Sequence, residues 1–351
     1  MKSKQVQEFK ETEIGKIPVD WEVTELENIC ERVSVGHVGL TSKFFCGKEE
    51  GVLFLRSQNV RPGRINLTDL KYVTYNFHET HKKSQLHEGD LMIVRVGSNR
   101  GDCCVVPKGF DKLNCANIVF ARPKSEFSSF LGHYFRSHLG KQKLDSISTG
   151  SAQGVINTKH IAKLLIPLPL PHQALAISHL LDTLDFKIQN LQNQNKTLEQ
   201  IAQAIFKSWF VDFDGVTEWD DSELGKIPKG WSVNILDSIA NNVRNTIKSK
   251  DITPDIFYIG LEHMPRDNVG LDTWENSNKL KSNKFKFETN QILFGKLRPY
   301  FKKVGISPIN GICSTDILVL NSKDTSWLEF LLFTVSSYDF IEYASQSTTG
   351  T

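Results

Sequence analysis

The sequence lacks long apolar runs and the cysteine spacings of zinc sites or disulfide scaffolds. Its most apolar stretch, residues 164–171, is short and contains prolines, and residues 1–15 are polar, so no segment predicts a transmembrane helix or a signal peptide. The six cysteines form no C-x-x-C pair and are too sparse for a disulfide scaffold. We therefore expect a cytoplasmic protein with reduced thiols, in which the adjacent Cys103 and Cys104 face opposite sides of a strand rather than forming a redox pair.

Motifs that bind nucleotides or transfer groups are also missing. The sequence has no G-x-x-x-x-G-K-[ST] phosphate loop, no G-x-G-x-x-G dinucleotide loop and no Asn-Pro-Pro-Tyr-like motif of adenine methyltransferases. His78 and His81 have i, i+3 spacing rather than the i, i+4 spacing of zinc ligands on one helix face, so we interpret them as surface polar residues. Asp212 and Asp214 lie in an acidic stretch without a nearby basic or hydroxyl partner, which favours a solvated linker or a docking patch. We predict no catalytic residue and no metal site.

The composition is that of an ordinary globular protein. The chain has 351 residues, 39% of them hydrophobic and 23% charged, which is enough for two domains of about 100 to 150 residues each and a connector. The net charge is only +2. Any contact with nucleic acid must therefore depend on local clusters of charge.

An internal repeat dominates the sequence. Residues 13–23 and 223–233 are identical at seven of eleven positions, including a Gly-Lys-Ile-Pro run and a tryptophan. The correspondence continues at an offset near 200 residues, which indicates that a whole domain was duplicated. The further matching segments are residues 89–95 with 290–296, 115–120 with 313–320, and 148–151 with 348–351.

A helix with a heptad repeat separates the two copies. Prolines precede it, and neither proline nor glycine interrupts it before Gly215, so we expect a rod of about 38 residues and roughly 57 Å. A seam kept over nearly five heptads favours a coiled coil over a helix packed along one domain. The residues of the predicted seam are Ile177, Leu181, Leu184, Ile188, Leu191, Asn195, Leu198, Ala202, Ile205 and Trp209.

These features together resemble the specificity subunit of a type I restriction-modification system. The resemblance rests on the two Gly-Lys-Ile-Pro starts, the proline-rich residues 166–171, the Thr-Gly-Ser-Ala-Gln-Gly-Val-Ile-Asn segment at 149–157, and the Phe-Lys-Ser-Trp-Phe end of the helix at 206–210. It implies an α+β protein with two mixed α/β target recognition domains in tandem, each reading half of a split DNA site. The expected divisions are residues 1–170, a spacer helix at 171–214 and residues 215–351.

The resemblance also implies partners. Double-stranded DNA, methyltransferase subunits and, through the complex, a restriction subunit are expected, with S-adenosylmethionine, ATP and magnesium bound only by those partner subunits. In the family a second spacer helix follows the second recognition domain, whereas this sequence stops where that helix would begin. We therefore expect either a truncated form or a helix supplied by another chain, which a second copy of this one could provide.

A basic cluster in the second copy favours DNA binding. The segment from Lys279 to Lys303 contains eight basic residues and only one acidic residue, Glu288. Aromatic residues alternate with the basic ones, as expected if strands bury aromatics on one face and present cations to phosphates on the other. The alternative is a solubilising charged face. The predicted DNA contacts are Lys284, Lys286, Lys296, Arg298, Lys302 and Lys303.

The first copy carries a different set of candidate readers. Arginine can bind guanine through two hydrogen bonds, and asparagine or glutamine can bind adenine in the same way. Each candidate has the alternative of an ordinary surface role. The candidates are Arg56, Gln58, Asn59, Arg95, Asn99 and Arg100.

Because the copies differ at nearly all of these positions, we expect an asymmetric bipartite target rather than a palindrome. The chain is then a non-catalytic specificity subunit. Two alternatives remain: a stand-alone dimeric DNA-binding regulator, and a scaffold that modulates assembly without reading sequence.

Overall fold

The computed structural model describes residues 8–147, 155–266, 268–278 and 280–347. Residues 149–154 of the segment at 149–157, the repeats at 148–151 and 348–351, and Lys279 therefore lie outside the described residues. The chain divides into two compact units, Met1–Gln189 and Asn190–Thr351.

The first unit contains fifteen strands and four helices among its described residues, and the start of a fifth helix. The helices are α1 (Tyr75–Thr80), α2 (Ser125–Arg136), α3 (His138–Ser146), α4 (Thr158–Ala162) and α5 (Pro171–Phe210). The strands are β1 (Phe9–Thr12), β2 (Gly15–Pro18), β3 (Glu22–Glu25), β4 (Cys30–Val35), β5 (Phe45–Cys46), β6 (Gly51–Leu55), β7 (Val60–Arg61), β8 (Arg64–Ile65), β9 (Lys71–Thr74), β10 (Gln85–Leu86), β11 (Leu91–Val94), β12 (Cys103–Val105), β13 (Leu113–Cys115), β14 (Ile118–Pro123) and β15 (Leu165–Leu168).

Three layers build the first unit. An antiparallel sheet in the order β12-β11-β14-β4 lies between helices α2 and α3 on one face and a sheet in the order β10-β13-β6-β9-β5 on the other. Side chains alternate between faces, so Leu91 and Ile93 of β11 pack towards the helices while Met92 and Val94 pack towards the second sheet. Because both faces are covered, β11 is apolar throughout.

The second unit repeats this arrangement. Its helices, after the end of α5, are α6 (Leu328–Ser336) and α7 (Tyr338–Gln346). Its strands are β16 (Trp219–Ser222), β17 (Gly225–Pro228), β18 (Ala240–Val243), β19 (Thr246–Ile247), β20 (Phe257–Ile259), β21 (Glu275–Asn276), β22 (Lys284–Phe287), β23 (Ile292–Gly295), β24 (Val304–Ile306), β25 (Gly311–Cys313) and β26 (Ile317–Ser322).

Strand pairing establishes which residues correspond. The sheet β24-β23-β26-β18 has the order of β12-β11-β14-β4, and β22-β25-β20-β21 has the order of β10-β13-β6-β9. Each five-stranded sheet contains one parallel pair, in which Leu55 lies beside Cys115 and Ile259 beside Cys313. The tandem α+β duplication predicted from the sequence is confirmed, and Cys115 and Cys313 are equivalent, as their segments suggested.

The predicted long helix is confirmed as α5, whose 40 residues give a length of about 60 Å. Within the first unit, Asp182 accepts hydrogen bonds from Ser129 Oγ at 2.6 Å and His133 Nε2 at 2.7 Å, and Asp185 pairs with Arg136 at 2.6 Å. Within the second unit, the rings of Phe206 and Phe210 pack against α6. The division between the units falls inside α5, so the domain limits at 170 and 214 stay predictions. Among the described residues, no helix is both long and apolar enough to span a membrane.

Candidate nucleic-acid interface

One edge of the first unit collects most of its predicted readers. The loop of residues 95–102 joins β11 to β12, and Ser57–Asn59 forms a turn directly after β6. Asn117, just before β14, connects the two, because its carbonyl oxygen accepts from Arg95 N at 3.4 Å and from Ser57 Oγ at 3.1 Å. Strand ends that are far apart in the sequence thus present Arg56, Gln58 and Arg95 on one edge.

The second unit has an equivalent edge. Its loop of residues 296–303 joins β23 to β24, and Leu261–His263 forms the turn after β20. Lys296 N donates to Asp316 O at 3.0 Å, as Arg95 N does to Asn117, and the Lys303 ammonium donates to Leu261 O. Lys296 and Arg298 are exposed, while Lys302 and Lys303 are half-buried.

The two loops share an unusual backbone. Both have eight residues and positive φ at their third and seventh positions: Gly97 and Gly101 in the first unit have φ of 94° and 85°, whereas Arg298 and Lys302 in the second have 54° and 51°. Glycine adopts such angles freely, but they strain an arginine or a lysine. The second unit therefore holds two cations on a backbone that the first unit builds from glycines.

Asn59 corrects a sequence prediction. Its side chain is 0% exposed, its Nδ2 donates to Asn66 O at 3.0 Å and Thr68 O at 3.2 Å, and its Oδ1 accepts from Arg56 N at 3.0 Å. In the second unit, His263 Nδ1 accepts from Gly260 N at 2.9 Å in the same way. Asn59 therefore stabilises a turn, and the prediction that it reads adenine is wrong because every polar atom of its amide has a partner inside the protein.

Lys284 is a second correction. It is 6% exposed, its Nζ donates to Ser282 Oγ at 2.6 Å, and it lies 5.7 Å from the centre of the Tyr258 ring. A buried ammonium cannot reach a phosphate, so the predicted DNA contact is wrong. Lys286, two residues along β22, is exposed. The expectation that aromatics would be buried also fails at Tyr300, which is 59% exposed at the loop.

Asp69 binds two of the predicted readers. Its Oδ2 accepts from Arg56 Nη2 and from Gln58 Nε2, each at 2.9 Å, and its Oδ1 accepts from Lys71 Nζ at 2.9 Å. The hydrogen bonds from Lys71, Arg56 and Gln58 hold the pKa of the Asp69 carboxyl well below its usual range. Gln58 is exposed. No sequence pattern indicates Asp69, because it follows Arg56 by thirteen residues and contacts it only through the fold.

Asn99 and Arg100 are half-buried within the first loop, where Asn99 O accepts from Asp102 N at 3.0 Å and Arg100 N donates to Gly97 O at 3.2 Å. Arg95 is also half-buried. The roles of these three residues in reading DNA stay predictions.

The histidines and aspartates that the sequence analysis weighed as zinc ligands or paired carboxylates have structural roles. His78 is buried rather than on the surface, with Nδ1 2.6 Å from Asn114 Oδ1, and His81 stacks on Phe77 at 4.0 Å. Asp212 and Asp214 do have basic and hydroxyl partners, in Lys207 and Ser208 at the end of α5. These contacts close the helix end and do not form a catalytic site.

One group of potential metal ligands lies close together among the described residues: Glu262, His263 and Glu275. His263 Nδ1 already accepts the Gly260 amide proton, so the neutral imidazole carries its own proton on Nε2 and has no free lone pair for a metal. The carboxylates are exposed. His263 therefore stabilises the turn after β20 and is not available as a metal ligand in this arrangement.

The cysteines are free thiols. Cys103 packs towards the helices and Cys104 towards the second sheet, which confirms that they face opposite sides. Burial raises the pKa of the thiols of Cys103, Cys104 and Cys313 to about 12. These thiols are therefore neutral and unreactive at physiological pH.

Comparison with known proteins places the chain in a family. The model of the type I restriction modification DNA specificity domain matches residues 18–200, just over half of the chain. The chain belongs to this specificity-domain family. It is 25% identical to the type I restriction enzyme MjaIX specificity subunit of Methanocaldococcus jannaschii, over 90% of this chain and 77% of that protein. It is also 25% identical to the type I restriction enzyme EcoDI specificity subunit of Escherichia coli, over 95% of this chain and 75% of that protein.

The specificity-domain fold is also shared with a solved structure. The S subunit of a type I restriction-modification system from M. genitalium superimposes with a TM-score of 0.52 at 13% identity, covering 93% of this chain and 80% of that one. At this identity the likeness concerns the fold alone. It agrees with the tandem duplication described above.

Proposed function

We propose that this chain is the non-catalytic DNA specificity subunit of a type I restriction-modification complex, in which each unit reads one half of a bipartite site. The observation that carries the proposal is the pair of equivalent edges, each with a cationic loop of the same backbone. Phosphate contacts from Lys296 and Arg298 would position the duplex, while polar side chains would read bases. The names of the relatives, all specificity subunits, support this role.

The two half-sites differ under this proposal. The loops of residues 95–102 and 296–303 share a backbone but carry different side chains at nearly every position. Two identical recognition units would read a palindrome, whereas two different units read an asymmetric sequence. The target is therefore split and asymmetric.

Helix α5 is the proposed spacer and docking element. Six of its ten predicted seam residues are more than 40% exposed, and Asn195 is exposed as well; an apolar seam of this kind requires a partner helix. We propose that methyltransferase subunits dock here, with the restriction subunit joining through them. A second copy of the chain is the other candidate partner, and the same seam favours it. The six residues are Leu184, Ile188, Leu191, Leu198, Ile205 and Trp209.

Catalysis and its cofactors belong, under this proposal, to the partner subunits. The methyltransferase subunits would bind S-adenosylmethionine and methylate an adenine flipped out of each half-site, and ATP and magnesium would serve the restriction subunit. We propose that the complex acts in the cytoplasm, because its substrate would be cellular DNA.

The test is long-read mapping of adenine methylation in cells that carry the cognate methyltransferase genes, with and without this chain. A split, asymmetric motif should be methylated only when the chain is present. A methylome that does not depend on the chain would contradict the proposal. The purified chain alone distinguishes the alternatives, because a stand-alone regulator binds a defined sequence without partners, whereas a scaffold shows no sequence preference and little dependence on salt.

A further inference from the structure

Three residues were predicted to read bases at the turn after β6, and the structure separates their roles. Asn59 is buried and stabilises the turn. Arg56 donates from Nη2 to both the backbone oxygen and the carboxylate of Asp69. Both protons of that nitrogen are thus occupied, and the Arg56 side chain is only 23% exposed. Arg56 therefore cannot offer Nη2 to guanine, and Gln58 is the exposed residue of the three.

Asp69 also fixes the orientation of the Gln58 amide. An ionised carboxylate only accepts hydrogen bonds, so Gln58 must turn its NH2 group, and not its carbonyl oxygen, towards Asp69 Oδ2, where the distance is 2.9 Å. The Asp69 carboxylate is itself held by Lys71 Nζ at 2.9 Å. This arrangement leaves the Gln58 amide with one acceptor, Oε1, and one further N–H donor.

An acceptor beside a donor matches one base in the major groove. Adenine presents its N6 amino group as a donor and N7 as an acceptor, and glutamine binds both at once. Guanine presents two acceptors and cannot satisfy Oε1. An amide that was free to rotate would lose conformational entropy on binding, whereas the amide held by Asp69 is already fixed in orientation.

Among the residues that the structure describes, this arrangement occurs in the first unit and has no equivalent in the second. Phe54 pairs with Lys71 and Tyr258 pairs with Glu275, so Lys71 corresponds to Glu275 and Asp69 corresponds to Thr273. The residues equivalent to Arg56 and Gln58 are Gly260 and Glu262, because both pairs follow their parallel strand at the same distance. A role in reading DNA would therefore concern the half-site of the first unit alone.

We propose that Gln58 reads an adenine in the half-site of the first unit, and that Asp69 is a positioning residue that orients its amide. This inference rests on the proposed function as a DNA specificity subunit. Its consequence is that Gln58→Ala and Asp69→Ala relax the same base position.

The experiment is methylation mapping with the full chain and its cognate methyltransferase subunits, comparing Gln58→Ala and Asp69→Ala with the wild type. Gln142→Ala, an exposed glutamine on α3, is the matched control. The readout is the ratio of methylation at sites that differ only at one base, so a smaller amount of folded chain does not mimic the effect. If Gln58→Ala methylates too weakly to map, Gln58→Met preserves the size of the side chain and removes its amide.

Both variants should lower the preference for adenine at one shared position by roughly 5- to 150-fold, while the second half-site and the control stay unchanged. A motif unaltered by Gln58→Ala, or a relaxed position that is not adenine, would overturn the reading role. Relaxation by Gln58→Ala without relaxation by Asp69→Ala would overturn the positioning role. If even the wild type directs no split motif, the proposed function itself fails, which is a different result from any of these.

Discussion

Gly97 and Arg298 occupy the same position in two equivalent hairpin loops and share a left-handed backbone, with φ of 94° and 54°. The same holds for Gly101 and Lys302 four residues later. Residues other than glycine cost about 1 to 3 kcal/mol in sparsely populated backbone regions and persist where the surroundings determine the conformation. The second unit thus carries cations at positions where glycine would be less strained, which is the pattern of a functional loop.

Replacing both residues in the double variant Arg298→Gly and Lys302→Gly should separate stability from binding. The free energy of unfolding should not fall, and it should rise by up to about 1 kcal/mol because the strain is removed. DNA affinity of the assembled complex should fall, and the slope of its logarithm against the logarithm of salt concentration should shrink by about 2, since two phosphate contacts are lost. Calorimetry and binding titrations at several salt concentrations measure these quantities.

The reciprocal change, Gly97→Arg, is the matched control for the first unit. It should lower the free energy of unfolding by about 1 kcal/mol and steepen the salt slope by about 1. A double glycine variant that is less stable than the wild type, or that keeps its full salt slope, would show that the loop cations serve the fold and not DNA.

Substitution of Asn59 should affect stability and not specificity. Asn59→Ala removes three hydrogen bonds from a fully buried side chain, so we expect a loss of about 1 to 3 kcal/mol in the free energy of unfolding. Gln58→Ala, one residue earlier and exposed, should change it by less than about 0.5 kcal/mol. Thermal unfolding of both variants provides the comparison, and equal losses would contradict the assigned roles.

The large features of the fold were predictable from local patterns. The duplication was visible because Gly-Lys-Ile-Pro and tryptophan recur at a fixed offset, and α5 was visible because its apolar residues keep a heptad spacing without proline or glycine. The domain limits were harder to predict, because α5 contacts helix α2 within one unit and α6 within the other.

The candidate site was less predictable, because sequence does not reveal which polar groups find partners. Lys284 lies between the exposed Lys281 and Lys286. Its ammonium is nevertheless buried, beside Ser282 and the Tyr258 ring. Asn59 is adjacent to an exposed glutamine but points inward. Asp69 was missed because its contacts with Arg56 and Gln58 depend on a loop that returns to the end of β6.

The exposed seam of α5 should be required for assembly. The double variant Leu191→Glu and Leu198→Glu places like charges in an apolar interface, so association with the partner helix should weaken by more than about 10-fold. Gln200→Glu, on the opposite side of the heptad, is the control and should assemble normally. Sedimentation of the chain alone measures self-association, and copurification with methyltransferase subunits measures docking. Normal assembly of the double variant by both measures would show that the seam is not required for assembly.

Thiol labelling at pH 8 should find one fast-reacting cysteine. Burial raises the pKa of the Cys30, Cys103, Cys104 and Cys313 thiols to about 12, so these groups stay protonated and unreactive until the pH approaches that value or the chain unfolds. Cys46 is half-buried. Burial and the Glu50 carboxylate raise the pKa of its thiol as well, but by less than for the other four, so Cys46 should react first. Cys46→Ser should therefore abolish the fast phase, and a fast phase that survives this change would contradict the burial of the other thiols.

Under the proposed function, the two units read two different half-sites independently of each other. The test is to exchange residues 280–305 for the corresponding segment of a relative with a different target, and then to map methylation in cells with the cognate methyltransferase. The half-site of the second unit should change, while the half-site of the first unit and the spacing between the half-sites should remain. A change in both half-sites, or in neither, would contradict independent reading by the two units.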